Sequence, residues 1–272
     1  DYGTPVTEVC SPSSAKFEHL CLRGEMILLD LIIRNGMVID GTGSPKFKAD
    51  IGVKGNSVIA IGEVSSTAIR EIDASGAVVT PGFIDLHTHS DNSFLVDPLA
   101  DSKLTQGVTF ELMGNCGMSF CAPLNSQTID DFNTRTNKFD PDYKPGWSTM
   151  DGYLSALENA GSTINIAAQV GHGTVRRSVM GMDPCMPTPE QLDHMKGLIA
   201  ESLDAGALGM STGLWYPPGS YSLTDEVIAV TQPAADRGKL YSSHIRSEAD
   251  DLSGLFPAHA EAIEVGRRTG AR

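Results

Sequence analysis

From Leu28 to Val79 the apolar positions come in short runs broken by turn residues, the pattern of a small β-rich unit. "LLDLIIRNGMVID" places Asn35-Gly36 between two apolar runs. That pair predicts a hairpin, because a type I′ turn needs positive φ at both central positions. "GTGSPKFKADIGVKGNSVIAIGEV" repeats the theme with Lys54-Gly55-Asn56 as a second turn, and "REIDASGAVVTPGFID" follows. Roughly 50 residues of this kind are too few to be comfortable alone.

After Pro81 the rhythm becomes strand, then helix. The apolar runs Gly82–Leu86, Val108–Met113, Ile164–Val170, Ala207–Ser211 and Leu240–His244 read as strands. The best delimited helix starts behind Thr188, with Pro189 at its first position and Gln191 placed to close a capping box. Leu192, Met195, Leu198, Ile199 and Leu203 give it an apolar face, and Gly206 suits its end. A second helix is predicted from Thr224, with Leu223 and Ile228 spaced as a hydrophobic staple. Pro233 falls inside that helix, at about 3 kcal/mol if truly interior, whereas Pro257 is tolerable as a first helical residue. Alternating βα units of this length predict a parallel sheet, and five of them fit either an open sheet or part of an eight-stranded barrel.

Residues 1–25 show neither period and read as an irregular tail, so the expected division is 1–25 tail, 26–80 β unit and 81–272 βα units. Met26 is a candidate natural start. The net charge of −14, from 34 acidic and 20 basic residues without like-charge runs, describes a solvated acidic surface that repels nucleic acid. Five scattered cysteines without a CxxC pair point to a reducing compartment, hence the cytoplasm. No apolar stretch reaches the roughly 18 residues of a membrane span.

Chemistry gathers at the ends of the predicted strands, where parallel sheets carry their sites. His87 and His89, in "FIDLHTHSD", sit at i and i+2 and so face one side. Imidazole suits zinc and related metals. Cys116, in "ELMGNCGMSF", adds a thiol between Gly114 and Gly117, and His244 closes "GKLYSSHIRSE". Three strands thus bring metal-binding atoms to one rim. The bland alternatives are strand-end histidines and an inert buried thiol. His172 follows another strand and is expected to line a pocket without touching metal. Cys121, His19, His194 and His259 stay outside the site.

"VVTPGFIDLHTHSD" resembles the opening motif of the amidohydrolase superfamily. "GNCGMSFCAPL", "VGHGTVR", "GALGMSTGLWYPPGSYS" and "LYSSHIRSE" are similar to the narrower N-acyl-D-amino-acid deacylase (D-aminoacylase) family, from about Leu28 to the last residue. The resemblance implies an incomplete (β/α)8 TIM-like barrel of about five βα units, preceded by a small β-sandwich portion. It implies Zn2+, with His87 and His89 at a weakly held position and Cys116 and His244 as ligands of the tightly held one. The cysteine takes the place of a carboxylated lysine on the fourth strand, and "GALGMSTGL" has no lysine there. Tyr216 and Arg246 match positions near the substrate. The family's remaining zinc histidine and catalytic aspartate would fall beyond Arg272, so the chain is expected to be an N-terminal piece. The implied activity is hydrolysis of an N-acyl-D-amino acid to a carboxylic acid and a D-amino acid. Alternatives are a non-catalytic piece associating with its C-terminal part or another chain, and a hydantoinase- or dihydropyrimidinase-like hydrolase of cyclic amides. The second-strand cysteine and "STGLWYPPG" speak against the latter.

Overall fold

The computed structural model describes residues 28–138, 140–249 and 252–272, and the chain divides into two units between Pro81 and Gly82. The expected tail and the candidate start at Met26 lie outside the described residues.

The first unit is a five-stranded mixed sheet of β1 (Leu29–Val38), β2 (Phe47–Lys54), β3 (Ser57–Gly62), β4 (Ala68–Asp73) and β5 (Val78–Val79). The order is β3-β2-β1-β4, with β5 beside the end of β1. β1–β2 and β2–β3 are antiparallel, and β4 and β5 run parallel to β1. Leu29, Ile32 and Val64 form its small core. The Gly55-Asn56 turn joins β2 to β3, with Lys54 opposite Ser57, as predicted. The Asn35-Gly36 hairpin is corrected: β1 runs straight through it, and the register with β2 slips between Ile33 and Gly36. Asn35 does take positive φ, 61°, but spends it on a bulge. Its N–H donates to Asp50 Oδ1 (2.9 Å) and its amide to Asp73 Oδ1 (3.1 Å), so long-range partners hold a conformation that the dipeptide alone reads as a turn.

The second unit runs β6 (Phe83–Asp85), α1 (Ser93–Val96), α2 (Asp101–Leu104), β7 (Val108–Met113), α3 (Ile129–Thr136), α4 (Met150–Ala160), β8 (Asn165–Gly171), α5 (His172–Met180), α6 (Pro189–Asp204), β9 (Gly209–Gly213), α7 (Thr224–Asp236), β10 (Leu240–His244) and α8 (Leu252–Thr269). All five strands are parallel and pair strictly in chain order, β6 to β10. An open doubly wound sheet reverses its order at a switch point, and this one never does. It is a partial TIM-like barrel. The core lies between strands and helices, where Ala168, Val170 and Met210 of the sheet meet Tyr153, Met195, Ile199, Leu203 and Val230. No helix among the described residues is long and apolar enough to cross a membrane.

Local signals placed the helices unevenly. Thr188 and Gln191 form the reciprocal capping box, with backbone donors at 3.3 and 2.9 Å. Thr188→Ala is expected to lower unfolding stability by about 1 kcal/mol in a urea titration. Leu223 is the N-cap of α7 but stays 59% exposed, so the staple with Ile228 does not shelter it. Pro233 is interior to α7. Pro257 is interior too, because α8 begins upstream of it and gives up the one hydrogen bond proline cannot donate. β9 starts two residues later than predicted, since the Ala207 N–H bonds back to Ser202 O and closes α6.

Candidate metal centre

The loop after β7 is built by backbone crowding. Gly117, at φ 71°, passes so close to β9 that a Cβ would lie 2.6 Å from Gly213 N. A Cβ on Gly213 would in turn overlap the Cys116 carbonyl. Between Gly114 and Gly117, Cys116 holds a left-handed conformation (φ 56°) that costs a non-glycine residue of order 1 kcal/mol. Polar groups over-determine it. Ser211 Oγ accepts from Gly117 N (2.9 Å) and donates to Gly114 O. Asn115 donates to Leu112 O (2.8 Å) and accepts from Gln169 Nε2 (3.0 Å), and Gln169 accepts from Ser242 Oγ (3.0 Å). This chain of buried amides ties the ends of β7, β8 and β10 together.

The thiol that results is buried and central. Cys116 Sγ lies 3.2 Å from His87 Nε2 and 3.5 Å from His244 Nδ1. His87, His89 and Cys116 each offer a ligand atom within 4.8 Å of the others. The two histidine rings are 5.7 Å apart, edge to face. Two ligands of one tetrahedral zinc, at about 2.3 Å for sulfur and about 2.0–2.1 Å for nitrogen, stand about 3.6 Å apart, so the 3.2 and 3.5 Å spacings from Cys116 Sγ fit a shared ion, while His244 falls outside the mutual grouping of His87, His89 and Cys116. Burial, then the nearby Glu248 charge, raises the Cys116 thiol, while burial and the neighbouring charges of His87, Arg135 and His244 lower His89. Tyr216 OH stands 3.3 Å from His244 Nδ1, its ring 4.7 Å from the imidazole. Glu248 Oε1 is 3.5 Å from His244 Nε2 on the far side of the ring. A cleft of about 370 Å3, partly open to solvent, lies beside the thiol and is walled by Phe120, Thr174, Arg177 and Tyr216 among others.

Residues 70–261 match the model of the amidohydrolase family. The chain belongs to the amidohydrolase family. It is 40% identical over 244 residues to N-acyl-D-glutamate deacylase from Alcaligenes xylosoxydans xylosoxydans, covering 89% of this chain and 48% of that one. The structure of N-acyl-D-glutamate deacylase from Bordetella bronchiseptica, complexed with zinc and a phosphonate inhibitor, superposes with TM-score 0.79 at 39% identity, covering 90% of this chain and 50% of the other. A D-aminoacylase structure described by its binuclear metal centre gives TM-score 0.81 at 37% identity, covering 89% and 50%. The amidohydrolase chain thus spans about half the length of the relatives it matches.

Two residues expected near substrate, His172 and Arg246, do not line the cleft beside Cys116 in this amidohydrolase. His172 is fully buried at the start of α5, with Nε2 3.2 Å from Glu226 Oε1, and the cleft is lined by its neighbours Gly173 and Thr174 instead. Arg246 is spent on a bidentate pair with Glu261 (2.9 Å twice) and on the carbonyls of Ser220 (3.0 Å) and Ser222 (2.8 Å). Both brace the 214–223 segment that carries Tyr216. No motif marks Glu248, although its i+4 spacing from His244 is a usable signal. Asp91, fully buried in "HTHSD" and pushed up to about 7 by burial, is equally unmarked by its neighbours in sequence. Arg135 had no signal, because nothing in "NTRTN" marks its place.

Proposed function

We propose that this half-barrel carries the metal centre of a zinc-dependent hydrolase acting on the linear amide of N-acyl-D-amino acids, releasing a carboxylic acid and a D-amino acid. One observation carries the reading: a buried thiol with imidazole nitrogens from two other strand ends at 3.2 and 3.5 Å. His87, His89, Cys116 and His244 would hold the metal. When bound, zinc supplies Lewis acidity toward an amide carbonyl and brings water's pKa down to about 7. Cys116 anchors the donor set, the lowered His89 keeps an imidazole lone pair free at neutral pH, and Tyr216 presents a hydroxyl over His244 toward the cleft.

The D configuration rests on the similarity to D-amino-acid deacylases, at 37–40% identity. The relatives are about twice as long, so the activity is proposed for a whole protein of that length. The resemblance puts the proton-shuttling aspartate outside these 272 residues, and the chain alone is proposed to turn over little. Its free thiols, Cys116, Cys121 and Cys185, suit a reducing compartment, and we place it in the cytoplasm. The test is elemental analysis of the chain purified in zinc and dialysed against buffer. At least one zinc per chain is expected, and a zinc-free folded chain would refute the assignment.

A further inference from the structure

His244 is the candidate ligand whose aim depends most on its surroundings. It stands 3.5 Å from Cys116 Sγ, yet outside the mutual grouping of His87, His89 and Cys116. Its backbone is fixed at the end of β10, where its carbonyl accepts from Leu214 N (2.9 Å). Its ring is turned by the groups on either side. Nδ1 faces the thiol and, at 3.3 Å, Tyr216 OH. Nε2 faces Glu248 Oε1 at 3.5 Å. Among the described residues, His244 is the one candidate ligand whose imidazole has a carboxylate within 4.0 Å.

Glu248 comes back to a ring four positions upstream without a helix to bring it there. The residue between them supplies the anchor. Arg246 is pinned by Glu261 (2.9 Å twice) and by the carbonyls of Ser220 (3.0 Å) and Ser222 (2.8 Å). Beyond it, Ala249 N donates to Ser247 Oγ (3.2 Å) and tightens the turn. The Glu248 charge reaches the same centre. After burial it is the next cause that raises the Cys116 thiol, and after burial and Cys116 it raises the Tyr216 hydroxyl. Its side chain is 62% exposed, so solvent screens that charge, and what it gives His244 is chiefly direction.

An ion shared with Cys116 needs the Nδ1 lone pair, and a neutral imidazole offers it only with the ring proton on Nε2. Tyr216 OH can donate or accept, so it leaves either tautomer open. A carboxylate accepts only, and at Nε2 it selects the one that metal binding requires. We propose that Glu248 is a positioning residue for the metal centre, holding the His244 ring proton on Nε2 so that Nδ1 is presented beside Cys116. The proposal rests on reading His244 as a metal ligand. "HIRSE" then divides into a ligand, an anchor and the group that orients the ligand.

The test is zinc affinity of the 272-residue chain, read by chelator competition, together with imidazole nitrogen NMR of the metal-free chain, the His244 signals being assigned by their loss in His244→Ala. Glu248→Ala is expected to weaken zinc binding about 10- to 100-fold, and Glu248→Gln, which keeps an oxygen in place, by less. Thermal melts of both variants should match wild type, because the side chain is largely exposed. In the metal-free wild type the His244 proton should sit on Nε2, and in Glu248→Ala it should spread over both nitrogens. In a His244→Ala background Glu248→Ala should cost nothing further, since it acts through that ring. Zinc held as tightly by Glu248→Ala, a loss that persists without His244, or an unchanged His244 tautomer overturns the proposal and leaves the metal centre standing. A folded wild-type chain that takes up no zinc removes the metal centre, and this role with it.

Discussion

Zinc affinity is expected to fall on the order of 100- to 1,000-fold in Cys116→Ala, read by competition with a chromophoric chelator. Apparent zinc-binding free energies in small sites are about 10–16 kcal/mol, and one ligand of four carries about 2.5–4 kcal/mol of that. Cys116 should lie at the upper end, because its sulfur is the atom from which His87 and His244 both stand at ligand spacing. Alanine meets the same left-handed penalty as cysteine at φ 56°, so the loop is no more strained and the loss isolates the sulfur. The thiol sits above its ordinary range, through burial first and Glu248 second, so at neutral pH the metal-free chain keeps it protonated. Zinc must displace that proton. Wild-type affinity should therefore climb with pH about one decade per unit more steeply than that of the alanine variant. Equal affinities, or parallel pH slopes, would remove Cys116 from the donor set.

The approach of these side chains was legible because it follows from period and place. His87, Cys116 and His244 each sit at or just past the C-terminal end of an apolar run, and a parallel sheet collects such ends on one rim. The helix cap at Thr188 was legible for the opposite reason: every atom it needs lies within three residues. What failed was tertiary. Asn35-Gly36 carries the correct local conformation, but Asp50 and Asp73, 15 and 38 residues away, recruit it into a bulge. His172 was placed by position after a strand, yet its ring turns into the core, where Glu226 arrives from a helix 54 residues on. Arg246 was matched to a motif position, and the motif cannot say that Glu261 occupies its guanidinium. The order of the strands, which separates a barrel from an open sheet, is likewise written in pairing and not in any one segment.

The buried contact between His172 and Glu226 leads to the second large effect. Glu226→Leu is expected to cost about 3–5 kcal/mol of unfolding free energy in a denaturant titration. One oxygen of that carboxylate, Oε1, accepts from His172 Nε2 (3.2 Å), Arg176 Nε (3.0 Å) and Ser222 Oγ (2.8 Å). The Arg176 and His172 side chains are wholly buried, and Glu226 is 1% exposed. Deleting the acid leaves a guanidinium in the core whose remaining partners, the carbonyls of Asp183 and Cys185, are uncharged. Arg176→Met in the same background should restore part of the loss, because removing both charges of a buried pair costs less than removing one. Acid discriminates further. Burial alone would raise Glu226, but the hydrogen bond and charge of His172, with Ser222 and Arg176, outweigh it and leave the group below its ordinary 4.5. The unfolded chain then takes up the proton first as pH falls. The stabilisation is complete above about 4.5 and is lost on the way down through the folded value. Glu226→Gln should lack that acid limb while keeping an oxygen for the three donors. Because Ser222 and the Arg246-held carbonyls of Ser220 and Ser222 fix the segment behind Tyr216, the leucine variant should also loosen Tyr216 over His244. An Arg176→Met/Glu226→Leu pair no more stable than Glu226→Leu alone would show that the ion pair is not what holds this segment.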